Sequence, residues 1–229
     1  CYYCHRYTMP LAELGREMAK AAGSELVVER EALQKDILAL LYAKYTANYN
    51  GVPVRTDFQW QKLLTVHNLE GVQCAVVYRN SEASGYMLYR ISDSCFTVLE
   101  LLTDAYDARN RLLQYAAMHQ SSAQKFAWLA PDWDKTYLGF ANQEYTGALQ
   151  PFMMTRCLDA RKALNQLDAP ADMPEDSVVL LLTDKTIDRN SHLLKLYTAP
   201  NKLEVKSTID AEEVTMDCLL YTSPSPRDA

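Results

Sequence analysis

Glycine is scarce in this chain, with 7 among 229 residues, and none lies between Tyr86 and Leu138. Loops that grip phosphate groups need glycine, because several backbone N–H groups can approach the phosphates together only where no Cβ intervenes. The sequence also contains no G-x-S-x-G, G-x-x-x-x-G-K-[ST] or G-x-G-x-x-G motif. These absences argue against P-loop enzymes, Rossmann dehydrogenases and acyl hydrolases that use a nucleophile elbow.

Excess basic charge and long apolar runs are also lacking. The chain has 23 Lys and Arg against 29 Asp and Glu, which gives a net charge of −6. Nucleic-acid binders need a basic face to neutralise phosphates. No apolar run approaches the roughly 20 residues that span a bilayer. We therefore predict no nucleic-acid and no membrane partner, and the 48% hydrophobic content predicts a folded chain.

The cysteines do not form a disulfide framework. Apart from Cys218 there are five, an odd number, and Cys74, Cys95 and Cys157 stand isolated in apolar segments. This pattern favours free buried thiols in a reducing cytoplasm. The segment Cys1–His5 matches the C-x-x-C-H motif of haem attachment. Its aromatic run predicts a strand, however, where residues three apart point to opposite faces, so we predict neither haem nor zinc.

Both ends of the sequence are unusual. From residue 218 the chain reads CLLYTSPSPRD, which resembles the in-frame translation of a sequencing adapter, and its first residue is Cys1 rather than Met. We interpret 1–217 as an internal piece of a longer protein and 218–229 as an adapter artefact. A genuine flexible tail rich in Ser, Pro and Asp is the alternative.

Hydrophobic periodicity predicts alternating helices and strands. Short turns after the second and third predicted strands, at 80–84 and 92–94, indicate antiparallel hairpins. A linker rich in Pro and acidic residues occupies 168–177 and precedes a three-stranded meander. The predicted strands are 1–9, 73–79, 85–91, 95–102, 125–130, 149–155, 178–183, 192–198 and 202–208; the predicted helices are 11–22, 31–49, one capped by Asp57, 107–119, 156–167 and one that starts at Glu212.

This order of elements is that of a GNAT-type acyltransferase domain, and several segments carry a closer resemblance. The chain resembles the Eis-like (enhanced intracellular survival) acetyltransferases, most closely from about 73 to 167. The segments that carry the resemblance are GYMLYRI (85–91), the pair Glu100-Leu101, ARNRLLQYAAMH (108–119), Ala130-Pro131 and PFMMTRCLDARKAL (151–164).

The resemblance implies an N-terminal GNAT domain that binds acetyl-CoA, a second GNAT-like domain, and a C-terminal domain similar to sterol carrier proteins. Residues 1–24 would be the last strand and exit of the first domain. Residues 25–167 would be the central domain, and 178–217 the start of the sterol-carrier-like (SCP2-like) domain. The family's catalytic Tyr, its terminal carboxylate and the first domain's cofactor loop would all lie outside this chain.

The central domain itself lacks the usual cofactor loop. Working GNAT domains carry R/Q-x-x-G-x-G/A after the fourth strand, where the following helix points its N-terminus at the pyrophosphate. Here the segment after Leu102 reads TDAYDARNR, without glycine and with Asp104 and Asp107. We interpret Asp107 as a helix cap and Arg109 and Arg111 as solvated or paired with acids, although the two arginines could retain some anion binding.

The sequence therefore predicts a mixed α/β (α+β) fold, with a mainly antiparallel GNAT-like sheet flanked by helices and the start of an SCP2-like domain. We assign no catalytic, cofactor-binding or metal-binding residue in the chain. The expected function is that of a fragment of an acetyl-CoA-dependent N-acetyltransferase that acts on primary amines, aminoglycoside-like compounds or lysine side chains. The fragment should be inactive alone, and the longer protein should form a homo-oligomer. A non-catalytic scaffold or ligand-binding module is the alternative.

Overall fold

The computed structural model describes residues 2–19, 25–49, 52–131, 134, 145–153, 156–209 and 214–218. The chain forms two compact units, one of residues Tyr3–Pro151 and one of Phe152–Ala229 with Cys1–Tyr2. The elements up to the end of the first unit, in chain order, are β1 (Tyr2–Pro10), α1 (Leu11–Ala19), β2 (Leu26–Glu31), α2 (Lys35–Thr46), α3 (Asp57–Leu69), β3 (Gln73–Arg79), β4 (Glu82–Ser92), β5 (Cys95–Thr103), α4 (Tyr106–Ala117), β6 (Lys125–Pro131) and β7 (Thr146–Met153).

These strands form one seven-stranded sheet in the order β2-β3-β4-β5-β6-β1-β7. The strands β2 to β5 pair antiparallel in succession, β5 and β6 are parallel, and β1 is antiparallel to β6. Two-residue turns at Asn80-Ser81 and Asp93-Ser94 join β3 to β4 and β4 to β5, and all four residues have positive φ. Consecutive positive φ values are typical of type I′ hairpin turns, which match the twist of the strands.

Strand β4 is buried on both faces and shows how the sheet separates two cores. Met87 and Tyr89 belong to one hydrophobic cluster, while Tyr86 and Leu88 belong to another, and all four are fully buried. Successive side chains of a strand point to opposite faces, so α1 and α4, which contribute to the first cluster, cover one face. Helices α2 and α3 contribute to the second cluster and cover the other.

The largest differences from the sequence-based predictions in this unit concern β2, α2 and α3. Strand β2 was not predicted, and α2 begins at Lys35 rather than at residue 31. Helix α3 is capped by Thr56 instead of Asp57, because Thr56 and Gln59 form a reciprocal capping box. The Thr56 Oγ1 accepts the Gln59 N–H at 3.4 Å, and the Gln59 side chain accepts the Thr56 N–H at 2.7 Å.

The second unit is built on a four-stranded sheet in the order β10-β9-β8-β11. Ala160, Leu182, Leu194 and Val205 form its buried cluster. The elements of this unit are α5 (Ala160–Leu164), β8 (Asp176–Leu182), a 3-10 turn (Asp188–Asn190), β9 (Leu193–Ala199), β10 (Lys202–Ser207) and β11 (Val214–Cys218). The Asp184 carboxylate stabilises the loop before β9, since it accepts hydrogen bonds from the Thr186 and Ile187 N–H groups.

The predicted three-stranded meander is present in this unit, but two predictions are wrong. The helix predicted over 156–167 is only the five residues of α5, which begin after an N-cap at Asp159. The structure has strand β11, parallel to β8, where a helix from Glu212 was expected. Glu212 itself lies outside the described residues.

At Gly85 the backbones of β4 and β5 are too close for a side chain on β4. A Cβ at this position would lie 2.5 Å from Thr103 Cγ2 and 2.6 Å from the Leu102 carbonyl oxygen, both on β5. We expect Gly85→Ala to lower the free energy of unfolding by about 2–3 kcal/mol, because backbone cannot move aside as a flexible side chain can. Urea unfolding followed by circular dichroism measures the loss.

Gly147→Ala is the matched control. Among the described residues its Cβ would meet the Tyr145 ring, at 3.6 Å, which is an ordinary van der Waals distance. We expect this change to alter the free energy of unfolding by less than about 0.5 kcal/mol. Equal stability of the two variants would show that β4 and β5 are less tightly packed at Gly85 than the structure has them.

Candidate functional site: a cleft where two parallel strands separate

The parallel strands β5 and β6 separate partway along their length. They pair only from Cys95 with Lys125 to Val98 with Trp128, although β5 continues to Thr103. The separation begins at a β-bulge on β5: Tyr89 of β4 pairs with Val98 and Leu88 pairs with Glu100, so Leu99 has no partner in the ladder. A bulge bends its strand and often lies beside a binding site. The separated strand ends form the walls of a cleft.

This cleft, which we call the splay cleft, has a volume of about 340 Å³, within the range of small-molecule sites. It lies between the ends of β5 and β6, the first turn of α4 and one face of α2. Its lining residues are Tyr45, Tyr49, Leu101, Thr103, Asp104, Ala105, Tyr106, Arg109, Trp128, Pro131 and Asp134.

A second cleft of about 280 Å³ adjoins the splay cleft and shares four of its residues, Tyr45, Tyr49, Thr103 and Asp104. It extends along α2 toward the β4 bulge at Ser84. Together the two clefts form a groove under α2 that leads to the start of α4.

Four of the eleven residues that line the splay cleft are aromatic. Tyr45 and Tyr49 stack on each other with centroids 4.9 Å apart. Tyr106 lies under the Arg109 guanidinium, whose Cζ is 4.4 Å from the ring centroid. Trp128 is 3% exposed and contacts the Tyr7 ring at 5.7 Å. Such a lining favours a flat or apolar ligand.

The first turn of α4 is occupied by carboxylates. The N-cap is Ala105, which has no capping side chain, so the prediction that Asp107 caps the helix is wrong by two positions. Asp107 instead accepts the Ala108 N–H at 2.8 Å and the Arg79 guanidinium N–H at 2.6 Å. The hydrogen bond from Arg79 holds the pKa of the Asp107 carboxyl below its usual value, so this residue is charged at neutral pH.

Asp104 is the second carboxylate at this position. It accepts hydrogen bonds from the Ser84 hydroxyl and from Lys44, the latter at 2.9 Å. Burial alone would raise the pKa of Asp104, but these two partners outweigh burial and lower it. The groups that a phosphate would approach at the start of α4 are therefore flanked by two fixed negative charges.

The two arginines of α4 have different roles. Arg109 lines the splay cleft and pairs with Asp134 at 3.6 Å, and among the described residues its Nε has no acceptor. Arg111 points elsewhere, since its Nε donates to the Leu26 carbonyl oxygen of β2 at 3.0 Å. Arg109 is thus paired with an acid, as the sequence suggested, whereas Arg111 is bound to the backbone of β2, the edge strand of the sheet.

A partly buried ion pair lies beside the second hydrophobic cluster, next to the Tyr42 and Trp60 rings. Arg55 donates two hydrogen bonds to Glu100, one of 3.0 Å, and its guanidinium lies 4.0 Å from the Tyr42 ring and 4.8 Å from the Trp60 ring. Tyr86 also donates to Glu100. Burial and the Glu100 charge raise the pKa of the Tyr86 hydroxyl, so it stays protonated. Because the charges of Arg55 and Glu100 are paired with each other, we interpret this group as stabilising the fold and not as a functional site.

The other residues that the sequence drew attention to do not gather into a site. Cys4 is buried in β1, with its Sγ 3.8 Å from the Gln150 carbonyl oxygen. Burial raises the pKa of the Cys74 thiol to about 12. Within the described part of the chain, no three His, Cys, Asp or Glu side chains come together as metal ligands would. Cys1, Asp132, Trp133 and Met154 lie outside the described residues.

Sequence reasoning missed the α2 contribution to the splay cleft. Tyr45 and Tyr49 are four residues apart, a spacing that on a continuous helix would place them on one face. In the structure Tyr45 lies in the last turn of α2 and Tyr49 in the turn that follows it, and both line the cleft. The spacing was visible in the sequence, but it equally predicts a helix face that packs against the hydrophobic core. Only the fold shows that this face lies over the ends of β5 and β6.

Comparison with known proteins agrees with this architecture. Residues 51–161 match the family model of the acetyltransferase (GNAT) domain. A probable N-acyltransferase from Enterococcus faecalis matches with a TM-score of 0.78 and 18% identity over 90% of this chain and 53% of that one. No curated protein matches the sequence.

Two further solved structures have the same fold. A GCN5-related N-acetyltransferase from Anabaena variabilis has a TM-score of 0.71 and 19% identity over 93% of this chain and 54% of that one. Eis1 from Mycobacterium abscessus has a TM-score of 0.61 and 16% identity over 92% of this chain and 54% of that one. The chain spans about half the length of these structures.

The predicted fold class is confirmed. The chain has a mixed α/β, GNAT-like fold in which a mostly antiparallel sheet is flanked by helices. Among the described residues, the longest helices are too short or too polar to cross a membrane.

Proposed function

We propose that this chain is part of an Eis-like, acetyl-CoA-dependent N-acetyltransferase that acts on primary amines such as aminoglycoside-like compounds or lysine side chains. The match of residues 51–161 to the GNAT acetyltransferase domain supports acetyl transfer as the reaction class. Enzymes with this domain transfer an acetyl group from acetyl-CoA to an amine. The resemblance in 151–164 supports the narrower Eis-like assignment.

In such a transfer the amine nitrogen attacks the thioester carbonyl directly. A base must accept the proton of the attacking amine, and an acid must protonate the departing thiolate. The resemblance places both groups, together with a glycine-containing cofactor loop, in parts of the protein outside this chain. By the same proposal, residues 25–167 form a second GNAT-like domain and 178–217 begin an SCP2-like domain.

The charged start of α4 carries the proposal that this domain does not hold acetyl-CoA. Phosphate sites at helix N-termini depend on open backbone N–H groups and a favourable field. Here Asp107 already accepts the Ala108 N–H, and Asp104 lies beside it. Repulsion between unit charges at about 4 Å is roughly 1 kcal/mol in water and larger where water is excluded. Lys44 and Arg79, the nearby cations, are each neutralised by these acids.

The second candidate function is a non-catalytic module that binds a ligand or supports a neighbouring domain. The splay cleft favours the ligand-binding form, since it keeps a usable volume and an aromatic lining. In this case the domain would contribute to the longer protein without taking part in the chemistry.

Calorimetric titration of the purified chain with acetyl-CoA tests the proposal. We expect no binding in the micromolar range and no acetyl transfer to an aminoglycoside or to a lysine peptide. The uninterrupted protein, assayed in the same buffer, serves as the control and should show both. Micromolar binding by the chain alone would contradict the proposed loss of the cofactor site, and an inactive longer protein without R/Q-x-x-G-x-G/A would contradict the reaction class.

A further inference from the structure

The seven-stranded sheet ends at β2, whose outer edge is open. β2 is the first strand in the sheet order and pairs with β3 over all six residues of Leu26–Glu31. In an antiparallel pair every second residue directs its N–H and C=O away from the partner strand. Within the described part of the chain, β2 makes no further backbone hydrogen bond, and the side chain that bonds its backbone is Arg111, at the Leu26 carbonyl oxygen. The backbone of residues 27–31 is therefore free to pair with another strand.

The edge of β2 lacks two devices that commonly prevent strand addition. Edge strands are often protected by a proline, by a bulge or by charged side chains. β2 has no proline, and its register with β3 runs without a bulge. Val27 is 53% exposed, so an apolar side chain of an added strand would have a surface to pack on. The protection that remains is charge, which excludes some partners and favours others.

The exposed charge on one face of β2 is negative. Glu29 and Glu31 are two residues apart and project from the same face as Val27, and Glu25 directly precedes the strand. Glu29 is exposed and, among the residues that the structure describes, has no ion-pair partner. The Tyr78 hydroxyl donates to the Glu31 carboxylate at 3.0 Å and fixes it on this face. Cations opposite these carboxylates would stabilise an added strand.

The cations nearest to β2 do not neutralise this face. Arg30 projects from the opposite face of the strand. Arg79 is paired with Asp107 at 2.6 Å, and Lys35, at the start of α2, is paired with an acid of α3. An added antiparallel strand would therefore meet negative, positive and negative charge at three successive residues. The complementary sequence is basic, acidic, basic, with apolar residues after it.

A second copy of this chain is a poor partner for the edge. Suppose that two copies paired antiparallel through β2 about a two-fold axis. An axis at residue 29 or 31 would place Glu29 or Glu31 opposite its own copy, and an axis at residue 30 would place Glu29 opposite Glu31. Axes at residues 27 and 28 would place Glu25 opposite Glu29 and Glu31, respectively. Like charges directly opposite destabilise a strand pair, so the partner must have a different sequence.

We propose that the open edge of β2 binds an extended, basic segment of another protein, which adds to the sheet as an eighth strand antiparallel to β2. Two basic residues at alternate positions lie opposite Glu29 and Glu31, and apolar residues lie opposite Val27 and Val28. Backbone hydrogen bonds give the affinity, and the alternate side chains select the partner. This interaction surface does not depend on acetyl transfer by the longer protein.

Nuclear magnetic resonance of the ¹⁵N-labelled chain with the peptide acetyl-TKEKVVT-amide tests the inference. Antiparallel pairing places the two lysines opposite Glu31 and Glu29 and the glutamate opposite Arg30. At millimolar peptide we expect the backbone amide peaks of β2 to shift and alternate amides of the strand to exchange more slowly, because their N–H groups become hydrogen-bonded. The charge-reversed peptide acetyl-TEKEVVT-amide should leave both the peaks and the exchange rates unchanged.

A charge exchange tests the contact at residue 29. Glu29→Lys should weaken binding of acetyl-TKEKVVT-amide about fivefold, since an attractive cross-strand pair becomes repulsive. The same variant should bind acetyl-TKEEVVT-amide, which has glutamate at the facing position, about fivefold more tightly than the unaltered chain does. Glu82→Lys is the matched control. It makes the same change at an exposed residue of β4, which β3 separates from the edge, and should alter neither affinity.

Shifts confined to β2, together with the exchanged preference of Glu29→Lys, would establish the inference. Equal binding of acetyl-TKEKVVT-amide and acetyl-TEKEVVT-amide would overturn it, and so would equal affinities of Glu29→Lys and Glu82→Lys for the first peptide. Sedimentation of the chain alone gives a further check. Dimers in which the β2 amides are protected from exchange would assign the edge to a second copy and refute the basic partner.

Discussion

Replacing Leu112 by Ala should lower the free energy of unfolding by about 3–4 kcal/mol. Leu112 lies in the middle of α4 and is fully buried in the hydrophobic cluster that joins α4 to the sheet. Truncation to Ala removes three heavy atoms from this cluster and leaves a cavity that the neighbours only partly fill. Leu→Ala changes of this kind commonly cost about 2–5 kcal/mol. Urea unfolding monitored by circular dichroism gives the difference.

Leu40→Ala is the control for Leu112→Ala. It is the same substitution in a helix, α2, but Leu40 is 70% exposed. We expect a change of less than about 0.5 kcal/mol there. A loss below about 1 kcal/mol for Leu112→Ala, or equal losses for both variants, would mean that α4 is not anchored as the structure shows. The first turn of α4, which lines the splay cleft, would then not be held in a fixed position.

The centre of the fold is predictable from sequence because its patterns are local. The helix predicted over 107–119 has apolar residues at helical spacing on one face, which are Ala108, Leu112, Tyr115 and Ala116. Three of these are buried in α4, and the fourth, Tyr115, is half-buried with its hydroxyl 3.0 Å from that of Tyr89. Strands β3 to β5 likewise carry enough apolar residues and short turns to predict their antiparallel pairing.

Strand β2 shows where periodicity fails. It is the edge strand of the sheet, and its sequence LVVERE buries Leu26 but leaves Val27 53% exposed. Its sequence shows no alternation of apolar and polar residues. The strand is positioned by its backbone pairing with β3 and not by burial of its side chains. A segment of this kind is easily assigned to the helix that follows it, as happened here with Glu31.

The chemistry of the α4 start could be predicted only in part. The absence of glycine and the two acids are visible in the sequence, and they indicate a weak phosphate site. The partners of those acids are not visible, because Arg79 and Asp107 are 28 positions apart and Ser84 and Asp104 are 20 apart. The fold brings them together through the β3–β4 and β4–β5 pairings. The pairings are predictable, but the register that matches these side chains depends on a bulge in each pairing, which no local pattern predicts.

The partly buried Arg55–Glu100 pair is the second place where a single substitution should have a large effect. We expect Arg55→Met to lower the free energy of unfolding by about 2 kcal/mol. Glu100 would keep its charge among Tyr86, Tyr42 and Trp60 without the two guanidinium hydrogen bonds that now match it. Removing one partner of a buried pair is strongly destabilising for this reason.

Two further variants separate charge from packing. Lys35→Met breaks an exposed pair with Asp57, which is 85% exposed, and should cost less than about 0.5 kcal/mol. Adding Glu100→Gln to Arg55→Met removes the uncompensated charge and should recover about 1–2 kcal/mol. Urea unfolding of the four proteins gives all the differences under one condition. If Arg55→Met cost no more than Lys35→Met, the pair would contribute little to stability. If Arg55→Met were costly but Glu100→Gln recovered nothing, Arg55 would contribute through its packing against the two rings and not through its charge.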